Sequence, residues 1–208
     1  MGTDISGLVE CRAWRLHEEG EPVWHAAVNL FMLYRGRDYD AFGCLFGVRN
    51  YANFRPLAAG RGRPADASDA VRAELDRLAQ WPESVSGTSW ITWAELKAVD
   101  WTELTEKDDS RIHEYRRTAD GLEYVGKSAW SREFAEVSGI DRRVSEQEPT
   151  WPEGSEWRSG DRVYRSTRIS RRDAVEENGE WQPVWTVMET LAALHGDENV
   201  RLVVWFDS

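Results

Sequence analysis

The stretch Val200-Arg201-Leu202-Val203-Val204-Trp205-Phe206, near the C-terminus, is apolar at every position except one. A strand with no polar face for solvent is typical of the centre of a sheet that is covered on both sides. We therefore expect Leu202, Val203 and Val204 all to be buried, with the other strands of the protein arranged around them.

Alternating apolar and polar residues predict several further strands. They lie at residues 7–14, 23–30, 111–117, 122–125 and 162–169. The first two flank the turn residues 18–22, and the next two flank Ala119-Asp120-Gly121, so each pair predicts a β-hairpin. The sequence therefore contains two hairpins in addition to its C-terminal strand.

Helix starts are indicated by capping residues ahead of apolar spacing. The predicted helices cover residues 38–48, 68–80, 92–99 and 183–195. Asp38 or Asp40 caps the first, Ser68 caps the second, and Thr92 with Glu95 forms a capping box for the third. The last shows an apolar stripe that ends at Leu194.

These elements predict one α+β domain over residues 1–208. We expect both hairpins and the C-terminal strand to share a mostly antiparallel sheet, with the helices at 68–80 and 183–195 packed on one of its faces. Residues 138–160 are polar, acidic and interrupted by proline. This segment is predicted to be a surface excursion or lid, whose tryptophans Trp151 and Trp157 would be exposed.

The composition restricts the partners of the protein. The net charge is −11, with a sequence pI of about 4.9. Duplex nucleic acid is bound largely through neutralisation of phosphates, so an acidic chain is a poor candidate for binding it. A local basic pocket could still hold a small anion.

Cysteine usage and hydropathy indicate a cytoplasmic protein. Cys11 and Cys44 form no CxxC pair and no metal-ligand cluster, so both are predicted to be buried free thiols, with no metal and no cofactor. The first residues lack a signal-peptide pattern, and no stretch approaches the roughly 20 apolar residues of a membrane span.

Residues 49–67 form the most suggestive candidate site, a glycine-interrupted loop rich in arginine. Arginine grips phosphate in a forked geometry, glycine lets backbone N–H groups approach an anion, and nearby aromatic rings could stack on a base. In the alternative interpretation, the arginines pair with surface carboxylates and the aromatic rings belong to the core. The candidate ligand-binding residues are Tyr39, Arg49, Tyr51, Arg61, Arg63 and Trp90.

No catalytic residue is predicted. The histidines lie apart from each other, in no recognisable metal or phosphodiesterase pattern, at positions 17, 25, 113 and 195. Asp38, Asp40 and Asp207 could supply a carboxylate pair, but helix capping explains the first two more simply.

Five motifs in a fixed order carry a resemblance. They are Arg37-Asp38-Tyr39-Asp40-Ala41-Phe42, Val48-Arg49-Asn50, Arg61-Gly62-Arg63-Pro64, Ser89-Trp90-Ile91-Thr92 and the ending Val200–Asp207. Together they resemble a group of small, mostly uncharacterised accessory proteins of bacteriophages and prophages. The resemblance implies a phage-type accessory protein, conceivably one that counters host defence, and it assigns no role to any residue.

The function predicted from the sequence is binding, without turnover, of a small anionic, nucleotide-like ligand. One alternative is a hydrolase that acts on a nucleotide signal. Another is an acidic inhibitor that binds a host protein, and a homo-oligomer is a further possible assembly. A membrane or duplex nucleic acid is not expected as a partner.

Overall fold

The computed structural model describes residues 2–14, 20–81, 85–140 and 151–207. Within these ranges the chain has an α+β fold in which all strand pairs are antiparallel, as the sequence predicts. The strands are β1 (Asp4–Ala13), β2 (Val23–Asn29), β3 (Val85–Thr92), β4 (Ile112–Thr118), β5 (Gly121–Ser128), β6 (Glu156–Ser159), β7 (Arg162–Arg165) and β8 (Val200–Asp207). The helices are α1 (Tyr39–Phe46), α2 (Asp69–Leu78), α3 (Trp93–Lys97), α4 (Arg132–Ser138), α5 (Arg171–Ala174) and α6 (Gln182–His195).

The first sheet is built around β8, in the order β2-β1-β8-β3. β1 runs along one side of β8 from the pair Asp4–Asp207 to the pair Cys11–Val200, and β3 runs along the other side. Leu202, Val203 and Val204 are fully buried. The prediction of a central C-terminal strand is confirmed.

The middle hairpin does not join that sheet. β4 and β5 instead combine with β7 and β6 in a second sheet, of order β5-β4-β7-β6. The expectation of one shared sheet is corrected here, because β1 and β3 already occupy both sides of β8. The outer edge of β3 is engaged as well, since the N–H of Gly62 donates to the carbonyl of Thr88 at 3.0 Å.

Helices cover both faces of the first sheet, which corrects the expectation that they share one face. Successive side chains of a strand point to opposite faces. Leu202 and Val204 belong to the main core with Val184 of α6, whereas Val203 packs with Val71 of α2. The helices predicted at 68–80 and 183–195 therefore lie on opposite sides of β8.

The second sheet has its own small apolar cluster. Phe134 of α4 packs on Ile112 and Tyr164, with Trp151 and Trp157 half-buried around it. The ring of Trp157 meets that of Phe134 edge to face, at a centroid distance of 5.1 Å. Of the segment predicted to be a polar excursion, residues 141–150 lie outside the described residues, and residues 151–160 contribute to this sheet and its cluster instead of extending away from it.

The predicted caps are confirmed. Asp38 accepts from the backbone of α1, Ser68 caps α2, and Thr92 with Glu95 forms the capping box of α3. The buried stripe of α6 differs from the expectation: it consists of Val184, Met188 and Ala192, while Leu194 is 74% exposed. Among the described residues, no helix has the length and apolarity to cross a bilayer.

Candidate functional site

Arg61, at the centre of the arginine loop, is held by protein groups. Its guanidinium contacts the carboxylate of Glu95 at 2.8 Å and donates to the carbonyl of Leu57 at 3.2 Å. It also lies 5.0 Å from the ring of Trp90. Since Glu95 is the capping-box residue of α3, these contacts tie the loop to the start of that helix.

The loop is anchored further by a buried ion pair beneath it. Arg201 of β8 donates to Glu10 of β1 at 2.7 Å, and the two side chains are 3% and 0% exposed. Arg201 also donates to Asp66 at 2.7 Å, while its guanidinium lies 3.8 Å from the ring of Trp24. Glu10 accepts from the backbone N–H of Ser68 at 2.8 Å. The end of the loop is thereby fixed to the face of the first sheet.

The other predicted site residues lie apart from Arg61 and Trp90. Arg63 pairs with Asp76 of α2 at 2.6 Å, with both side chains exposed. Arg49, at a positive φ of 52°, donates to the hydroxyl of Thr3 at 2.8 Å. The rings of Tyr39 and Tyr51 are 6.3 Å apart, and the Tyr39 hydroxyl accepts from the Thr3 N–H.

The six candidate residues therefore fall into separate groups. Arg61 and Trp90 meet at the start of α3, and Arg63 faces α2, whereas the remaining three surround Thr3 and the start of α1. The contacts of Arg61 and Arg63 agree with the alternative interpretation, in which the arginines pair with carboxylates.

A different cavity, of about 470 Å³, opens between α3 and α6. Trp93, Trp101 and Trp185 line it, together with Leu96 and Val175. All three indole rings are half-buried and pack against the main core, and Trp185 also stacks on Trp181 at a centroid distance of 5.2 Å. We call this cavity the tryptophan pocket. Eight polar or charged side chains complete the lining, among them Lys97 and Glu189. The cavity therefore offers both flat apolar surfaces and polar groups to a small molecule.

A second cavity, of about 720 Å³, lies against the second sheet. His113, Tyr115 and Tyr124 form its floor, because His113 and Tyr115 alternate along β4 and Tyr124 pairs with Tyr115 on β5. The opposite wall is the segment 167–178, including Arg168 and Arg172. We call this cavity the sheet groove.

Arg172 is common to both cavities, as are the neighbouring residues 176–178. Its guanidinium contacts Glu177 at 2.7 Å, with the two side chains 53% and 75% exposed. Lys127 and Arg168 also line the sheet groove and are opposed there by Asp173, Glu176 and Glu177. The charges that line the groove are thus nearly balanced, three cationic against three acidic side chains.

A buried charged cluster connects the floor of the sheet groove to α1. Asp109 is 0% exposed and accepts from Arg111 Nε at 2.9 Å, and Arg111 and Lys127 both contact Asp40. Burial alone would raise the pKa of Asp109, but hydrogen bonds from His113 and Arg111 outweigh burial and lower this pKa to about 2. Conversely, the carboxylates Asp109 and Asp40 overcome the burial of Arg111 and raise the pKa of its guanidinium.

His113 is the histidine of this cluster. Its Nε2 lies 3.1 Å from Oδ2 of Asp109, and the side chain is 5% exposed at the floor of the sheet groove. The alternation of His113 with Ile112 and Glu114 along the strand predicts an exposed side chain, and the structure corrects that expectation. Sequence reasoning missed the pair of Asp109 and His113 because their spacing, across a turn into β4, matches no familiar motif.

Neither cysteine has the properties of a nucleophile. Both are buried free thiols, as predicted. Burial raises the pKa of Cys44 to about 11, although Arg171 acts in the opposite direction. Among the residues that the structure describes, no group of three or more His, Cys, Asp or Glu side chains could hold a metal ion.

No family model matches the chain, and the searches of curated proteins and of solved structures find no match either. These comparisons leave the resemblance to phage accessory proteins untested, so it stays a prediction.

Proposed function

We propose that the protein binds a small anionic, nucleotide-like ligand, without turnover, at the junction of the tryptophan pocket and the sheet groove. The observation that carries this proposal is the position of Arg172. It lines both cavities, and its ion-pair partner Glu177 is largely exposed.

The availability of Arg172 distinguishes it from Arg61. An ion pair between exposed side chains contributes about 0–1 kcal/mol, so a phosphate can replace Glu177 on Arg172 at little cost. Arg61, in contrast, would have to give up Glu95, the Leu57 carbonyl and the ring of Trp90 together. Arginine is suited to the proposed role because its planar fork matches two phosphate oxygens.

Aromatic side chains would bind the base of the ligand, as Arg172 would bind its phosphate. Trp93, Trp101 and Trp185 offer flat apolar surfaces on which a base can stack, and base–aromatic stacking contributes about 1–3 kcal/mol for each base. The near balance of charges in the sheet groove favours a ligand with few negative charges over a triphosphate.

A cytoplasmic location and a phage-type accessory role belong to this proposal. Two buried free thiols are consistent with a reducing compartment. Sequestration of a host defence signal would fit a binder that leaves its ligand intact, and this part rests on the sequence resemblance alone.

Titration calorimetry against mono-, di- and cyclic nucleotides tests the proposal. Arg172→Ala should weaken binding roughly ten- to hundredfold, because a charge-assisted hydrogen bond contributes about 1.5–3 kcal/mol. Arg77→Ala is the matched control, since Arg77 forms a similar exposed ion pair with Glu74 on α2. Equal losses in both variants, or no binding by the wild type, would reject the site and favour the acidic-inhibitor alternative.

Hydrolysis of the same ligand class is a second candidate function, favoured by the contact between His113 and Asp109. A histidine held by a buried carboxylate can accept a proton from water as that water attacks the phosphorus of a phosphate ester; the ester P–O bond breaks and the alcohol leaves with a proton from solvent. Mass spectrometry of a nucleotide incubated with the protein separates the two functions. Intact ligand supports binding alone, whereas a product that disappears in the His113→Gln variant supports hydrolysis.

A further inference from the structure

We infer that the ligand is a dinucleotide, with one base in the tryptophan pocket, the other in the sheet groove, and the linking phosphate on Arg172. This inference rests on the proposed function and goes beyond it by naming the ligand class. A mononucleotide would use one of the two aromatic cavities and leave the other empty.

The first argument is the arrangement of aromatic side chains on either side of one cation. Trp101 and Trp185 line the cavity on one side of Arg172, and Tyr115 and Tyr124 line the cavity on the other. Both tyrosines belong to the open face of the second sheet, and Tyr124 is 51% exposed. Every base has a flat π-face, so each cavity can take one base irrespective of its identity.

The second argument is the space available. The cavities measure about 470 Å³ and about 720 Å³, and each lies within the range of roughly 300–1,000 Å³ that is typical of sites for small ligands. They share four lining residues, from Arg172 to Asn178, so one ligand can extend across this boundary without leaving protein contact.

The third argument is charge. A phosphodiester that joins two nucleosides carries one negative charge, whereas the terminal phosphate of a mononucleotide carries close to two at neutral pH. Glu176 and Glu177 stand beside Arg172 in both cavities and oppose a doubly charged group. A single arginine among these carboxylates therefore suits the singly charged diester better than a doubly charged phosphate.

The test compares the dinucleoside monophosphates of adenosine, guanosine, cytidine and uridine with the corresponding nucleoside monophosphates by titration calorimetry. The best dinucleoside monophosphate should bind about five- to hundredfold more tightly than the best mononucleotide, as expected for one additional stacked base. Equal affinities would overturn the inference while leaving the proposed function intact. Absence of binding by every compound would overturn both.

Tyr124→Leu identifies the second base position. This change should remove most of the advantage of the dinucleotide. It should leave the affinity of a mononucleotide in the tryptophan pocket within about twofold, because Tyr124 does not line that pocket. Tyr51→Leu is the matched control, because Tyr51 is a tyrosine that is 39% exposed and lines neither cavity. A Tyr124→Leu variant that keeps the full advantage, or a Tyr51→Leu variant that loses it equally, contradicts the inference.

Discussion

Arg61 and Arg172 have the same side chain in two different environments, and their surroundings decide what each can do. The guanidinium of Arg61 is engaged by a carboxylate, a carbonyl and an indole ring, whereas that of Arg172 has an exposed carboxylate as its ion-pair partner. From the sequence alone the glycine-flanked Arg61 is the more suggestive residue. Its contacts indicate that it stabilises the fold.

Replacement of Arg61 tests this assignment. Arg61→Ala should lower the free energy of unfolding by about 1–2 kcal/mol, because it removes a partly buried ion pair, a hydrogen bond and a cation–π contact. The control Arg63→Ala breaks an exposed pair and should cost less than about 0.5 kcal/mol. Urea denaturation measures both. A loss of nucleotide affinity in Arg61→Ala without a loss of stability would restore the arginine loop as the site.

Asp109 predicts how stability depends on pH. Its pKa is lowered from an ordinary value of 3.8 to about 2, so its contribution is complete above pH 3.8 and is lost as the pH falls through about 2. A shift of this size corresponds to about 2 kcal/mol. The free energies of unfolding of the wild type and of Asp109→Asn should therefore converge by about this amount between pH 4 and 2. The control is Asp76→Asn, whose free energy of unfolding should change with pH in the same way as that of the wild type. Parallel curves for wild type and Asp109→Asn would contradict the account of the cluster.

At the scale of elements, β1, β8 and the arginine loop are joined through the buried pair of Glu10 and Arg201. The sequence marks Arg201 as the only charged residue of the apolar stretch 200–206, but it does not reveal the partner, which lies on β1. The same pair contacts Asp66 and Ser68, so the loop between α1 and α2 rests on the centre of the first sheet.

Removal of one member of this pair should be far more damaging than removal of both charges. Arg201→Met leaves Glu10 buried without compensation and should cost about 3–5 kcal/mol. The double variant Glu10→Gln/Arg201→Met keeps an acceptor for the Ser68 N–H and should recover a large part of that loss. Equal stability of the single and double variants in chemical denaturation would show that Glu10 does not depend on Arg201.

Local signals predicted most of the elements but missed β3, β6, α4 and α5, and they predicted the assembly of the elements less well. Asp38, Ser68 and Thr92 were identified as caps because capping depends on residues within one helical turn. The split into two sheets depends on which strands occupy the sides of β8, and that choice involves β1 and β3, more than 100 residues away in the chain.

At the scale of the whole molecule, the candidate site combines segments that no local pattern connects. Trp93 begins α3 and Trp101 follows that helix. Arg172 lies in α5, Trp185 lies in α6, and Tyr124 belongs to the second sheet. The high count of 12 tryptophans was visible in the sequence, but which of them share a cavity is a property of the assembled fold. For this reason the arginine loop, whose residues are contiguous, was the site that sequence reasoning could find.

The location of the ligand is the central claim, and the indole N–H signals in a proton–nitrogen NMR titration with the nucleotide panel test it most directly. Trp→Phe variants assign the signals. We predict that the signals of Trp101 and Trp185 shift on binding while those of Trp24 and Trp90, beside Arg201 and Arg61, stay unchanged. Shifts confined to Trp24 and Trp90, or saturation with no shift of Trp101 and Trp185, would contradict the account.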